Sequence, residues 1–511
     1  MVGAFSRRRV AAAPARRAGV ASQRVMRALV VAGLLSVGWW LMWLANFSHA
    51  GNGPLYGLLM AAQLFSVVQV LGYWHCIWHR RTPPPRPACD PAGWDVDVLI
   101  TTYNEPLDMV ARTVEAAVAM HGPHRTWVLD DGRRVEFADM AKRLGAGYVT
   151  RKSNRGAKAG NLNAALRRIR GEFIAVLDAD HIPRRDMLER LMPWTEDPAV
   201  AVVQAPQHYA NRRNGFVAGG AMEQQDIFFG AILEGKDGCD ASFCCGTNMV
   251  MRRSALDQIG GFDEDSVTED AATTVSLHEN GWKTRYVNEI VADGLAPEDL
   301  AAYLSQQFRW ARGNLQLLLC GRLWRSRLRL GQRLQYAWSA AHYLSSFSSL
   351  VYLVLPCLAL AFGIQPMGAA TTDFVSHFLP YLAISLTVFL HSNDGNLRFR
   401  GIQLSFGLFP TYLSALASVI AGRKVGFVVT PKVRQSGSFY RLVWPQLAVM
   451  AILLAAMADG ILHYNGASTV SNECWCVVNL ALLRGVIKAA GNQPVRRRRT
   501  APVPAVQGVA A

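Results

Sequence analysis

Three short apolar runs end directly in polar residues able to hold an anion or a metal. Val98-Leu99-Ile100 leads into Thr101-Thr102-Tyr103-Asn104-Glu105, Val128-Leu129 into Asp130-Asp131-Gly132, and Ile174-Ala175-Val176-Leu177 into Asp178-Ala179-Asp180. Asp, Asn and Gly also terminate strands and form turns, so one such cluster alone says little. Three in a single unit point to a shared site. Two carboxylates at i and i+2, just past a buried strand, can present oxygens to a hard divalent cation. Mg²⁺ or Mn²⁺ so held would neutralise a diphosphate and stabilise it as a leaving group.

Further positions extend this chemistry. Asn154-Arg155-Gly156-Ala157-Lys158 is a turn into a helix. A lysine at a helix N-terminus opposes the dipole, which an anionic ligand would relieve. Thr268-Glu269-Asp270 precedes a helical stretch with Thr268 as N-cap, and a carboxylate there can act as general base towards an acceptor hydroxyl. In Gln306-Gln307-Phe308-Arg309-Trp310-Ala311-Arg312-Gly313, Gln306 and Arg309 share a helix face, with Trp310 the i+4 neighbour of Gln306. That set suits a pyrophosphate clamp beside a flat platform for a sugar ring. No Gly-x-Gly-x-x-Gly follows the first strand, and no Walker-type Gly-Lys-Ser/Thr occurs, which argues against dinucleotide-dependent oxidoreductases and P-loop ATPases.

The elements that must position these residues alternate. Strands are predicted at 96–101, 126–129, 148–150, 173–177 and 200–204, with helices at 107–120, 135–144 and 158–170. Such alternation predicts a mostly parallel α/β sheet with its ligand site at the carboxyl ends of the strands.

Apolar runs flank this unit at 29–47, 54–78, 334–362, 374–390, 401–422, 442–458 and 470–487. A span needs about 20 apolar residues. Charge then decides topology. The net charge is +16, yet the basic residues sit mostly in the tails and beside apolar runs, as cytoplasmic flanks do, and no nucleic-acid module accompanies them. Keeping Arg423, Lys424, Lys432, Arg434 and Arg496 to Arg499 inside requires the run 401–422 to be an interfacial helix. Six spans are therefore expected, with the catalytic domain and both termini cytoplasmic in a plasma (inner) membrane. The last is the weakest, because Arg484 and Lys488 must snorkel. The first run is longer than a signal-peptide core and reads as a retained anchor. The nine cysteines show no C-x-x-C pair and no His at metal-ligand spacing, and read as buried small hydrophobes. The expected units are a basic tail (1–27), two spans (28–79) and the catalytic domain (92–300). Interfacial helices (301–333), two spans (334–392), an interfacial helix and loop (400–440), two spans (441–490) and a basic tail (491–511) complete the chain.

Asp130, Asp178 with Asp180, Asp270, and Gln306 to Trp310 resemble, in order and separation, the processive inverting family 2 glycosyltransferases. Thr102-Tyr103-Asn104-Glu105, Ala157-Lys158-Ala159-Gly160-Asn161-Leu162-Asn163, Asp178-Ala179-Asp180-His181-Ile182-Pro183 and Phe243-Cys244-Cys245-Gly246-Thr247 are similar to bacterial cellulose synthase catalytic subunits. Phe427-Val428-Val429-Thr430-Pro431-Lys432 looks like that family's gating loop. The resemblance covers about residues 92–440 and implies a GT-A-like α/β domain inserted between membrane helices. It further implies transfer of glucose from UDP-glucose to a growing β-glucan, with Mg²⁺ or Mn²⁺. It assigns Tyr103, Glu105, Asp130, Lys158, Asp178, Gln306 and Arg309 to the donor, and Asp178 and Asp180 to the metal. Asp270 becomes the catalytic base, Trp310 and Cys245 face the acceptor, and Phe427, Thr430 and Lys432 close over the donor. Expected partners are the UDP-sugar, the glucan chain, membrane lipid and, at the envelope, an accessory subunit. Regulation through a C-terminal cyclic-di-GMP-binding module, which such synthases often carry, is not expected from the residues after the last apolar run. Curdlan, mixed-linkage glucan and other processive products stay open, as does a non-processive transferase acting on a lipid carrier. The latter would need neither the Gln306 to Trp310 motif nor the gating loop.

Overall fold

The computed structural model describes residues 20–81, 84–423, 437–464 and 466–491. The expected gating-loop residues Phe427, Thr430 and Lys432 lie outside them. Ten strands follow in chain order: β1 (Val96–Thr102), β2 (Arg125–Asp130), β3 (Gly147–Val149), β4 (Phe173–Asp178), β5 (Ile182–Pro183), β6 (Val200–Gln204), β7 (His208–Tyr209), β8 (Met249–Arg252), β9 (Lys283–Tyr286) and β10 (Ala292–Gly294). Seven form the central sheet in the order β3-β2-β1-β4-β8-β6-β9. Its pairs are parallel except those made by β8, which runs antiparallel to both β4 and β6. The mostly parallel sheet expected from alternation is therefore present.

Burial on both faces explains why Val98-Leu99-Ile100 of β1 and residues 173–177 of β4 read as apolar runs. Alternate residues feed two cores. Val98, Ile100, Ala175 and Leu177 pack with Val110, Val114, Phe137 and Met140 on one face. Leu99, Ile174 and Val176 pack with Leu162, Ala165 and Leu256 on the other. The four-residue strands β8 and β9 gave too little periodicity to be read. The two- and three-residue strands β5, β7 and β10, which form a second small sheet in the order β5-β10-β7, gave none. That small sheet matters because it follows Asp178 and Asp180 and holds the turn beneath them.

Among the described residues, six helices are long and apolar enough to cross a membrane: Gln23–Leu44, Gly53–His79, Leu330–Phe362, Thr371–Ser392, Tyr440–His463 and Ala467–Ala490. The run 401–422, expected as one interfacial helix, is instead two helices, Phe399–Gly407 and Phe409–Ile420, bent by 46°. Pro410 in the first turn of the second helix cannot continue the first one's hydrogen-bond ladder, which accounts for the break. The sixth span is an unbroken helix. Lys488, near its end, rests its ammonium over the Phe216 ring, 5.3 Å from the centroid.

One buried acid ties the sheet edge together. Asp97 is fully buried in β1 and accepts bonds from Arg125 Nε (2.7 Å), Trp127 Nε1 (2.9 Å) and the Gly171 N–H (2.6 Å). Burial pushes its carboxyl up, but the Arg125, Trp127 and Gly171 donors together outweigh this and hold it below its ordinary value of 3.8. A depressed carboxylate stabilises the fold above the unfolded-chain value and loses that contribution as pH falls through the folded one. Asp97→Asn should lower stability by about 1–3 kcal/mol at neutral pH. In thermal melts of the purified full chain, the gap to wild type should close as pH falls below 3.8.

Candidate active site

The carboxyl ends of β1, β2 and β4 open onto a cleft of about 550 Å³. After β1, Glu105 folds back and accepts from Thr102 Oγ1 (2.8 Å) and the Tyr103 N–H (2.7 Å), which fixes the turn that presents Tyr103. The helix Ala157–Leu166 points its start into the cleft. Gly156 makes this turn at φ 71°, a left-handed conformation that favours glycine, and a Cβ there would stand 2.7 Å from Glu264 Oε2. Lys158 then reaches Asp178 Oδ1 and the Gly246 carbonyl, the latter at 2.7 Å.

Of the expected donor and metal residues, Tyr103, Glu105, Lys158, Asp178, Asp180, Gln306 and Arg309 all line this cleft. Asp130 does not. It is fully buried, accepting from the Gly132 and Arg134 N–H groups (both 2.8 Å), Arg134 Nη2 (2.9 Å) and the Tyr148 hydroxyl (3.1 Å). Strand alternation sends the last side chain of β2 inward, and its neighbour Asp131 reaches the cleft wall instead. Asp131 is held by a two-pronged contact from Arg151, at 2.6 and 2.7 Å. The expectation for Asp130 is thus corrected: it shapes the turn.

Asp178, Asp180 and His181 each offer an atom within 4.8 Å of the others. Both ring nitrogens of His181 are buried without a hydrogen-bond partner, and a Cβ on Gly294 would press 2.4 Å from its Nε2. Two carboxylates and an imidazole so confined fit a divalent cation of the Mg²⁺ or Mn²⁺ kind.

Asp270 begins the helix Glu269–Glu279 and accepts from the Ala271 N–H at 2.8 Å. Burial foremost raises both Glu269 and Asp270, and repulsion from Asp270 adds to the rise of Glu269, while Lys158 opposes both. Burial also weakens the hold of Arg309 on its proton, against the pull of Glu269, Asp178 and Asp270. These groups therefore form one charge cluster. Gly313, a turn beyond Arg309, has no room for a side chain: a Cβ would lie 2.4 Å from Thr268. That close packing locks the helix Leu300–Leu319 onto the Asp270 turn.

A second cavity of about 560 Å³ runs among the membrane helices, with Tyr73, Trp338, Tyr343, Phe389 and Tyr412 in its wall. Gln207, Cys245, Thr268, Asp270 and Trp310 line both cavities. The expected base, platform and acceptor cysteine thus stand where the two spaces meet. Gln207 had no motif to mark it. It donates to the Cys245 carbonyl at 2.7 Å, and Gln204 Oε1 accepts from the Cys245 N–H at 2.8 Å, so the loop is held from both sides. Arg312 was also missed. It is buried and donates to Ser418 Oγ (2.9 Å) and the Arg423 carbonyl, tying the approach to residue 424 to the helix bearing Trp310.

A parallel sheet with clustered acids at its carboxyl edge, seated on membrane helices, defines a GT-A-type fold of the glycosyltransferase class. The chain matches the family described as "Glycosyltransferase like family 2" over residues 91–313 and "Cellulose synthase" over 257–459. It is 34% identical over 478 residues to the cellulose synthase catalytic subunit [UDP-forming] of Pseudomonas fluorescens, covering 88% of this chain and 63% of that one. For the corresponding subunit of Xanthomonas axonopodis pv. citri the figures are 33% over 500 residues, 91% and 67%. The chain belongs to the cellulose synthase catalytic subunit family. It spans 28% of the length of cellulose synthase 2 of Novacetimonas hansenii, and the catalytic subunits just named extend well beyond it too. Among solved structures, a mannosyltransferase from Pyrobaculum calidifontis, in complex with GDP-Man and Mn²⁺, shares the fold. Its TM-score is 0.54 at 18% identity, over 72% of this chain and all of that one.

Asp130→Asn tests the corrected role. Loss of an acceptor in a buried, charge-assisted network should lower stability by about 1–3 kcal/mol. Thermal melting should fall clearly, with UDP affinity changed less than tenfold; unchanged melting with lost UDP binding would return Asp130 to the donor site.

Proposed function

We propose that this chain is a processive, inverting transferase that moves glucose from UDP-glucose to the non-reducing end of a growing β-glucan and passes the product through its membrane helices. The observation that carries this reading is the position of Asp270 and Trp310, shared between the polar cleft and the aromatic-walled cavity. The names of the relatives, cellulose synthase catalytic subunits that are UDP-forming, support the donor and product.

Tyr103 and Glu105 lie where the nucleoside would enter, with Lys158, Gln306 and Arg309 around the diphosphate. Asp178, Asp180 and His181 would hold a divalent cation, which when bound supplies positive charge to the leaving group. Asp270 takes the proton of the acceptor hydroxyl as its oxygen attacks the anomeric carbon. The C–O bond to UDP breaks on the opposite face, so the configuration inverts. Lys158 and Arg309 meet the charge that develops on the departing diphosphate. Trp310 stacks on the terminal sugar of the acceptor, and the aromatic wall beyond it offers flat apolar faces to successive rings. Apart from Asp270 at its mouth and Lys236, the residues lining that cavity are uncharged or aromatic, which lets a polymer slide with few ion pairs to break at each step. The excess of Lys and Arg on one side of the spans supports a cytoplasmic catalytic domain in an inner membrane.

Membranes containing the protein, given each radiolabelled UDP-sugar with Mg²⁺ or Mn²⁺, should yield a polymer from UDP-glucose. Linkage-specific glycanases then separate cellulose from curdlan and mixed-linkage glucan; single-sugar transfer to lipid would overturn processivity. Asp270→Asn should cut polymer synthesis at least 1,000-fold on the order expected for a lost base and its charge, while UDP affinity changes little. Equal loss of UDP affinity would place Asp270 in the donor site. Trp310→Ala should shorten the product and slow elongation more than donor hydrolysis. An unchanged product length would remove Trp310 as a platform.

A further inference from the structure

Two glycines set how the catalytic domain meets the second span. Gly235 and Gly238, at i and i+3 on the helix Leu233–Gly238, lie against the span's backbone. A Cβ on them would stand 2.1 Å from the Cys76 carbonyl oxygen and 2.0 Å from that of His79. So close an approach carries the next residue, Cys239, up to the last turn of Gly53–His79. Its Sγ lies 4.0 Å from His75 Nδ1. His75 and His79 share one helix face at i, i+4, with ring centroids 4.2 Å apart. One atom from each of His75, His79 and Cys239 lies within 4.8 Å of the other two.

The hydrogen bonds settle which lone pairs are available. His79 Nδ1 donates to the His75 carbonyl at 2.8 Å, which leaves Nε2 as its base. A metal-ligating histidine has just this second contact, because it fixes both tautomer and ring. Gln335 Nε2 donates to His75 Nδ1 at 2.7 Å and approaches Cys239 Sγ at 3.9 Å. Its Oε1 accepts from Lys236 Nζ (3.0 Å) and Cys76 Sγ (3.3 Å), so the amide cannot be turned round without losing both. Two Lewis bases from separate elements therefore converge on one amide donor.

We infer that His75, His79 and Cys239 form a transition-metal site that clamps the second span to the catalytic domain, with Zn²⁺ the fitting ion. Two imidazoles and a thiolate, with no carboxylate, suit Zn²⁺ and disfavour Mg²⁺ and Mn²⁺. Tetrahedral Zn²⁺ would set these atoms about 3.4–3.6 Å apart, a closure of about 1 Å by side-chain rotation with the Gln335 amide giving way. The fourth position is left to water. Phe228, Phe229 and Lys236, just before Cys239, line the aromatic-walled cavity, so the clamp would hold one wall of it in place. The i, i+4 spacing of His75 and His79 is the one local signal of the site, since Cys239 lies 164 residues from His75.

The test uses the full chain in nanodiscs, stripped with chelator and titrated with Co²⁺ as a spectroscopic probe. Wild type should develop a thiolate-to-cobalt charge-transfer band, displaced by Zn²⁺ but not by equal Mg²⁺ or Mn²⁺, whatever Co²⁺ the carboxylate site at Asp178 and Asp180 also takes up. Cys239→Ser should abolish the band and weaken Zn²⁺ binding at least tenfold, and His79→Ala, which keeps the thiol, should weaken it similarly. Zn²⁺ should raise the melting temperature of wild type and not of either variant. Absence of the band in wild type, or its survival in Cys239→Ser, would overturn the site. Sugar transfer does not enter any of these readouts, so the result is independent of the function proposed above.

Discussion

Everything at the cleft depends on how a set of carboxylates is kept out of bulk water without losing its charge balance. Glu269, Asp270 and Asp178 meet Lys158 and Arg309 in one partly enclosed cluster. Desolvation opposes the charges of Lys158, Glu269, Asp270 and Arg309, and opposite charges beside them, with backbone N–H groups for the two acids, offset it. The cations thus serve the fold before any ligand arrives. A diphosphate entering the cluster would meet positive charge that is already oriented, so little reorganisation remains to be done during reaction.

Backbone proximity achieves that placement. Gly156, Gly294 and Gly313 stand where a single Cβ would collide with Glu264, His181 and Thr268 respectively. At each point two elements are packed closer than side chains permit, and functional groups are fixed as a result. The same device recurs at Gly235 and Gly238, where the catalytic domain rests on the second span. There the helix Leu233–Gly238 and the second span meet backbone to backbone, with side-chain bonds such as that from Arg80 to Glu234 around the contact.

The junction of the two cavities gives the molecule its direction. On one side lie the acids and basic groups at the strand ends; on the other lie aromatic rings from three of the spans and the bent pair. Loop 243–247, pinned by Gln204, Gln207 and Thr274, forms the sill between them.

Much was legible because the sequence obeys strong local rules. Buried parallel strands must be apolar throughout, so β1, β2 and β4 announced themselves together with the polar residues that end them. Spans must be long and apolar, so six helices could be placed from composition and charge. Side-chain direction and long-range pairing could not be read this way. Asp130 and Asp131 are equally acidic, and only the pleat of β2 decides that the first turns inward to Arg134 while the second reaches the cleft. The four-residue strands β8 and β9 exist because β4 and β6 offer them edges, which no local pattern reveals. Gln207, Arg312 and Cys239 acquire their roles from partners 38, 111 and 164 residues away. The chain by itself determined which chemistry and which membrane content were available, since both follow from residue type and local periodicity. Tertiary structure decided which atoms meet, because that depends on packing between segments whose separation along the chain carries no such signal.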